Sequence, residues 1–478
     1  MSRKLKSGSV MLALAAAATL AACSDRLTVP NYQSPTVGSI SSDPIAAIPL
    51  LATGVLRDDR GALATYVRDV GILGREIYNY MPTEGRNTSG YLTSDVNNPT
   101  SFGATSSGGF SGQYFTVRDA FNTLTVLENS GNVFTDAQKN AVRGIMHTQV
   151  ALAILYVVNT RDSLGAPVEV SADAGQLFPF VSRDSVFKFI SGTLDAAAAE
   201  LTAAGSTAFP FKMPSGYAGF NTPATYLKFN RALAARVLAY RASLGTEGCA
   251  PARSATCYNQ ALTALTSSFL NPTGSMTLGV FDVYSAASGD VANGLSNEAT
   301  TNIVAHAKSD SGILVKPDNT PDNRFLAKFI QLSSPKAPPA TVDAVPTSWD
   351  YKLYDKRTDP IAVIRNEELI LLRAEARYYT GDVTGALEDI NTVRTVSGGL
   401  AARGAFTDEA DFLNELLYNR RLSLSFEGHR WIDMRRFNRL NLLTIDRPSH
   451  IVVAKLPVPQ NECLARANAP AELKGPGC

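Results

Sequence analysis

Apolar positions along this chain recur mostly three and four residues apart, the spacing that gathers them on one face of a helix. The pattern predicts a helix over residues 43–79, carried by Ile48, Leu51 and Val55 and then by Val67, Val70 and Leu73. Two more are predicted near 116–129 and 135–159, the second with Val142, Ile145, Met146, Gln149, Ala153 and Tyr156 along one stripe. An Ala-rich helix follows over 183–204, another from Asn221 to Gly245 with Pro223 at its start, and a shorter one over 258–269. Residues 81–113 and 270–360 break the pattern. Their Gly, Ser, Thr, Asn and Pro with scattered aromatics predict loops and, in the second stretch, a few short strands. Loops of such length inside a compact protein are usually functional or disordered.

Periodicity returns at 365–396. Leu369, Leu372, Ala376 and Tyr379 share a face, Gly381 breaks the run, and Asp382 is placed to cap a second helix with Ala386, Ile390 and Val393 turned inward. This hairpin resembles one tetratricopeptide repeat. The stretches 116–159, 183–245 and 365–396 are alike in size but not in letters. The expected architecture is therefore mainly α: a scaffold of tetratricopeptide-like helix pairs, over about 43–80, 116–269 and 365–440, covered by long irregular loops with a few short strands. One unit over 43–478 is expected, with the loop-rich sections 81–115 and 270–360 facing a ligand.

The chain has 478 residues, with 44 basic against 43 acidic side chains and a formal charge of +1. Such balance, without runs of like charge, argues against nucleic-acid binding, which calls for a strongly basic face. At the N-terminus Arg3, Lys4 and Lys6 precede the uncharged Val10 to Ala22. That apolar stretch is too short to span a bilayer and reads as a secretory signal. Leu20-Ala21-Ala22-Cys23 resembles the bacterial lipobox, which implies cleavage before Cys23 and acylation of that cysteine. Residues 1–22 are then the signal peptide and 23–42 a lipidated tether. An ordinary signal with an incidental cysteine is the alternative. No later run of uninterrupted apolar residues is long enough to span, so the lipid is the expected membrane attachment.

Cys249, Cys257, Cys463 and Cys478 remain, and four cysteines allow three pairings. Local pairing, 249 with 257 and 463 with 478, is preferred because each bond closes a short loop. Export favours bonded over free thiols, and neither spacing is that of a zinc site. Enzyme motifs are missing: there is no G-x-S-x-G, H-E-x-x-H, G-x-G-x-x-G or Walker-type G-K-[ST]. The histidines 147, 306, 429 and 450 are too scattered to propose a metal, and no cofactor or catalytic residue is expected.

The C-terminal third carries the most specific text. Arg365 to Asp382 reads R-N-E-E-L-I-L-L-R-A-E-A-R-Y-Y-T-G-D, followed by A-L-E-D-I-N-T-V-R, and from Leu416 the chain reads L-L-Y-N-R-R-L-S-L-S-F-E-G-H-R-W-I-D-M-R-R. With N-Y-Q-S-P-T after the lipobox, D-N-R-F at Asp322 to Phe325 and the closing L-P-V-P-Q-N-E, these segments resemble the SusD/RagB family of outer-membrane nutrient-binding lipoproteins. The chain departs from the family pattern at Asn419 and Ser423, where acids are usual, which predicts the loss of one or two ion pairs. Leu413, Leu416, Leu417 and Leu424 fall on one helical face, and Gly428 suits the position just past a helix end. Arg420, Glu427, Arg430, Asp433 and Arg435 are expected to interlock around a packed Trp431, as structure and not as catalytic machinery.

The resemblance implies a lid on a TonB-dependent SusC-like outer-membrane barrel, lipid-anchored and exposed at the cell surface. It would hold an oligosaccharide, or a peptide, before import. Sugar binding of that kind rests on aromatic rings and hydrogen bonds, without cofactor or metal. Candidate ligand residues are Tyr78, Tyr80, Arg86, Asn87, Tyr91 and Tyr114 around the first loop and Trp349, Tyr351 and Tyr354 in the later one. Each aromatic could instead pin a loop to the helices. Two other classes of function stay open: a secreted, lipid-anchored hydrolase and a tetratricopeptide-type protein-binding scaffold.

Overall fold

A computed structural model describes residues 43–171, 173, 175–298 and 302–478. The signal peptide, Cys23 and the tether lie outside the described residues. Helix α1 (Pro44–Leu73) begins where the Asp43 side chain accepts the Ala46 N–H, with Pro44 already holding a helical φ. Its inward stripe is Ile48, Ala52, Val55, Leu63, Val67 and Val70, all buried. Then follow α2 (Ser111–Glu128), α3 (Asp136–Arg161), α4 (Arg183–Ala204), α5 (Pro223–Leu244) and α6 (Ala255–Thr266). After the loop-rich section come α7 (Asn366–Tyr379), α8 (Val383–Val396), α9 (Glu409–Ser423) and α10 (Arg430–Arg436). Local side chains set several starts: Thr135 and Gln138 form a capping box at α3, Ser182 caps α4, and Asp382 accepts the Gly385 N–H at α8.

Each helix from α1 to α8 packs on the next along the chain. The architecture is thus the mainly helical stack expected, with few strands. α3 runs through its middle. The span Asp136–Leu164 is long and apolar enough to cross a membrane, yet 83% of its most apolar window is buried inside the protein, as befits a core helix. The strands form three antiparallel pairs that tie loops to the stack: β1 (Ile77–Asn79) with β3 (Ile303–Ala305), β2 (Gly279–Asp282) with β6 (Ile361–Arg365), and β4 (Phe329–Lys336) with β5 (Thr347–Tyr351). Cys249 is bonded to Cys257 and Cys463 to Cys478.

Several local expectations change. The first helix stops at Leu73, and Ile77–Asn79 is strand, because β3 supplies a partner that periodicity cannot show. Residues 81–113 contain the short helices Arg86–Leu92 and Phe102–Thr105, and α2 already starts at Ser111. Gly428 does not follow the end of α9 directly. It stands at φ +86°, two residues before α10, where an added Cβ would meet Tyr66 Cε1 at 2.9 Å.

The charged residues near Trp431 interlock differently from expectation. Arg420 Nε meets Asp433 at 2.7 Å, and Asp433 also takes Arg436 Nε at 2.9 Å. Arg436 reaches on to Glu375 at 2.7 Å. Glu427 pairs instead with Arg365 at 2.9 Å, and Arg430 donates to the Gly74 carbonyl. Arg435 lies over the Trp431 ring, whose Nε1 donates to the Val453 carbonyl at 2.9 Å. At the two departures from the family pattern, Asn419 Oδ1 and Ser423 Oγ both accept from Arg324 Nη1, at 2.8 and 3.0 Å. Arg324 finds its carboxylate in Asp322, two residues away. Neutral acceptors suffice there because the charge is already met.

Candidate binding cleft

Three chain segments enclose a cleft of about 340 Å³, within the range of small-molecule sites. The first turns of α2 supply Ser111, Tyr114, Phe115 and Arg118, preceded by Phe110, which gives the helix no side-chain cap. The second wall is Pro167, Glu169 and Val170 with Gln176, Leu177 and Phe178, brought back by an antiparallel bridge between Ala166 and Val181. Gly165 makes that bridge possible: at φ +69° it lies so close that a Cβ would stand 1.8 Å from the Val181 carbonyl oxygen. The third wall is the short helix Gln460–Ala465 with Arg466 behind it, contributing Asn461 and Glu462.

Hydrogen bonds lock the walls together. Tyr114 donates its hydroxyl to the Pro167 carbonyl at 2.7 Å, and Arg118 Nη1 donates to Ser171 O at 2.7 Å. The buried Arg466 holds Glu462 through Nε at 2.7 Å, gives Nη1 to the Phe178 and Leu473 carbonyls, and stacks over the Phe180 ring. The Cys463–Cys478 bond closes the tail around it. Burial, reinforced by Glu462, pushes the Tyr114 phenol well above its ordinary value, so it stays a neutral donor. Phe115 breaks the usual pattern by being 63% exposed on the rim. Aromatic faces beside guanidinium, amide and carboxylate groups can hold a ligand. No histidine lines the cleft, and among the described residues no group of three or more metal-ligating side chains forms.

The expected ligand residues are distributed otherwise. Tyr78, Tyr80, Tyr91, Tyr351 and Tyr354 are buried, and their hydroxyls are spent inside the fold. Tyr78 donates to Asp446, Tyr80 to Val345 O, Tyr91 to Asp69, Tyr351 to Glu76 O and Tyr354 to Phe426 O. Rings closed on both faces cannot stack on a sugar; these five pin the loops to the helices. Asn87 is buried and donates to the Glu84 carbonyl, while Arg86 is exposed but paired with Glu84 at 2.6 Å. Trp349 is half-buried, edge-on to Phe325 at 4.9 Å. Of all the candidates only Tyr114 lines the cleft. Its neighbour Phe115 was legible in principle: it sits four residues after Ser111 and three before Arg118, an aromatic on the polar side of an amphipathic helix.

Comparison with known proteins now bears on this geometry. The SusD family model matches residues 341–472, which include α7 to α10. The fold is similar to that of a SusD superfamily protein from Bacteroides vulgatus ATCC 8482, at 14% identity over 89% of this chain and 97% of that one, with a TM-score of 0.62. It is equally similar to a SusD superfamily protein from Bacteroides thetaiotaomicron, at 16% identity over 89% and 98%, with a TM-score of 0.62. Residues 341–472 are thus similar to the SusD family, and the fold as a whole is shared with SusD superfamily structures. A SusD-like carbohydrate-binding protein from Bacteroides fragilis matches as well, at 13% identity over 88% of this chain and 98% of that one, with a TM-score of 0.63. No curated protein sequence matches. The family match covers the ion-paired helices and the tail wall of the cleft. The two other walls, from α2 and from Pro167 to Val170 with Gln176 to Phe178, lie outside it.

Proposed function

We propose that this protein is a cell-surface lipoprotein that captures a nutrient, an oligosaccharide or a peptide, and passes it to a TonB-dependent SusC-like barrel in the outer membrane. The observation that carries the reading is the open cleft in which the exposed Phe115 ring stands beside hydrogen-bonding Arg118 and Asn461. Aromatic face and polar edge together are what a sugar ring or a peptide side chain requires. A lipid on Cys23 would hold the protein at the membrane while the helical stack stays in water. Trp349 remains a second proposed platform, on the far less open β5.

A binding screen of the mature protein against oligosaccharide and peptide panels tests the proposal. Binding without release of reducing ends or amino groups is the expected result, and co-purification with a large barrel protein is expected from membranes. Turnover of the ligand, or a protein that washes freely from cells expressing it, would contradict it.

A further inference from the structure

Arg161, the last residue of α3, is wholly buried. Its Nη2 donates to the Ala104 carbonyl at 2.8 Å, but Nε and Nη1 have no hydrogen-bond partner among the described residues. Burial pulls this guanidinium down to about 9, opposed by Tyr114 and Asp69. The group lies over the Phe110 ring at 5.1 Å, and Phe110, Thr105 and Tyr114 are wall residues of the cleft. An unpartnered cation therefore sits one ring's thickness behind the wall. A buried charge without a bonded counter-ion is costly, and among the described residues no carboxylate bonds this one. Asp69, the acid that acts on it, is already bonded to Arg68, Tyr91 and Ser106.

A second feature points the same way. Phe110, Ser111 and Tyr114 are the N-terminus of the 18-residue α2, and the cap residue offers no side-chain acceptor. Apart from the Gly112 N–H, which is bonded to Ser107 O, this end relies on the helix's own geometry and presents positive potential to the cleft. Arg118, one turn on, spends one nitrogen on Ser171 O and has no carboxylate bonded to it among the described residues; its neighbour Asp119 feels its charge and hydrogen-bonds Asp58 on α1. In and behind the cleft, the guanidiniums of Arg118, Arg161 and Arg466 face the carboxylates of Glu169 and Glu462. Glu462 is taken by Arg466, and Glu169 is exposed at the rim. The nitrogens left unspent on Arg118 suit a carboxylate, whose planar pair of oxygens matches the edge of a guanidinium.

We infer that the cleft recognises a carboxylate-bearing ligand, with the acid placed between the N-terminus of α2, Arg118 and the Phe110–Arg161 stack while the rest lies along Phe115. The inference rests on the nutrient-binding reading and narrows it. Two sources share this chemistry, an acidic sugar and the free C-terminus of a short peptide, and matched pairs separate them. Calorimetry of the full mature protein would compare digalacturonate with its methyl ester, and trialanine with its C-terminal amide. At least tenfold tighter binding of the acid in one pair supports the inference and names the source. In Arg161→Met and in Arg118→Met that preference should fall to near onefold; the rim substitution carries the test if the buried one does not fold. Equal binding of acid and neutral partner overturns the inference and leaves nutrient capture standing. No binding by any of the four probes, against hits elsewhere in the oligosaccharide and peptide panels, also overturns it, whereas silence across every panel overturns both.

Discussion

Two regions of this molecule bury arginines in opposite ways. Around α7 to α10 four buried guanidiniums end on carboxylates: Arg236 on Glu368 at 2.6 Å, Arg365 on Glu427 and Glu367, Arg436 on Glu375 and Asp433, and Arg420 on Asp433, while Arg421 and Arg430 end on backbone carbonyls. Burial alone would raise the Glu368 carboxyl, but Arg236 and the nearby His429 hold it down at about 2; Arg365 and Lys328 do the same for Glu367. At the cleft, Arg161 and Arg118 end on backbone carbonyls. The first arrangement fixes helices against one another in the interior, out of reach of a visitor. The second leaves capacity unspent where a ligand can arrive. Family resemblance concentrates in the first region, and recognition is proposed for the second.

The sharpest way to break this contrast is to unpair the core. Arg436→Met leaves the buried Glu375 without a cation and takes from Asp433 one of its two, and should cost about 3–5 kcal/mol, seen as a lower urea midpoint. Arg161→Met removes a buried charge with no carboxylate partner and should not destabilise comparably; an equal loss would erase the distinction between the regions.

A buried acid without a cation gives the next effect. Both Asp59 oxygens lack a hydrogen-bond partner among the described residues, and burial pushes the carboxyl from 3.8 up to about 7, with Arg60 opposing and Asp58 adding to the rise. Between those values the folded protein keeps a proton that the unfolded chain has released. Stability from this group therefore falls as pH rises from about 4 to 7, by up to about 1.4 kcal/mol per unit. Asp59→Asn should match the parent near pH 4 and exceed it at pH 8 in denaturation curves. Comparing variant with parent also cancels His429, held at about 4 mainly by burial, whose contribution runs the other way and is lost as pH falls below 6.5. A parent more stable than the variant at pH 8 would refute the assignment.

Smaller still is Gly428→Ala. At φ +86° against the Tyr66 ring it should destabilise by about 1–3 kcal/mol, read as a lower melting temperature. Phe115→Ala lies at the other extreme, with stability within about 0.5 kcal/mol of the parent because the ring is largely in water already.

Much of the fold was written in local spacing. Arg183–Ala204 is delimited by Ser182 and by its own Leu and Ala stripe, and the break at Gly381-Asp382 follows from a left-handed glycine and a capping acid. What escaped was set by distant partners. Ile77–Asn79 is strand only because Ile303–Ala305 lies beside it, and Tyr80 points inward only because Val345 offers a carbonyl. The cleft needs three segments far apart in the chain, so only Tyr114 among its residues stood out beforehand. The aromatic-rich loops looked like ligand platforms because composition does not tell a ring that faces water from one that anchors a loop.

One titration series tests the central claim most directly. The strongest hit from the panels would be measured against the parent, Phe115→Ala and Trp349→Ala, with thermal melts confirming that all three are folded. The account predicts roughly tenfold weaker binding, about 1.4 kcal/mol, for Phe115→Ala and little change for Trp349→Ala. Full affinity in Phe115→Ala together with a collapse in Trp349→Ala would move the site to β5 and contradict the cleft.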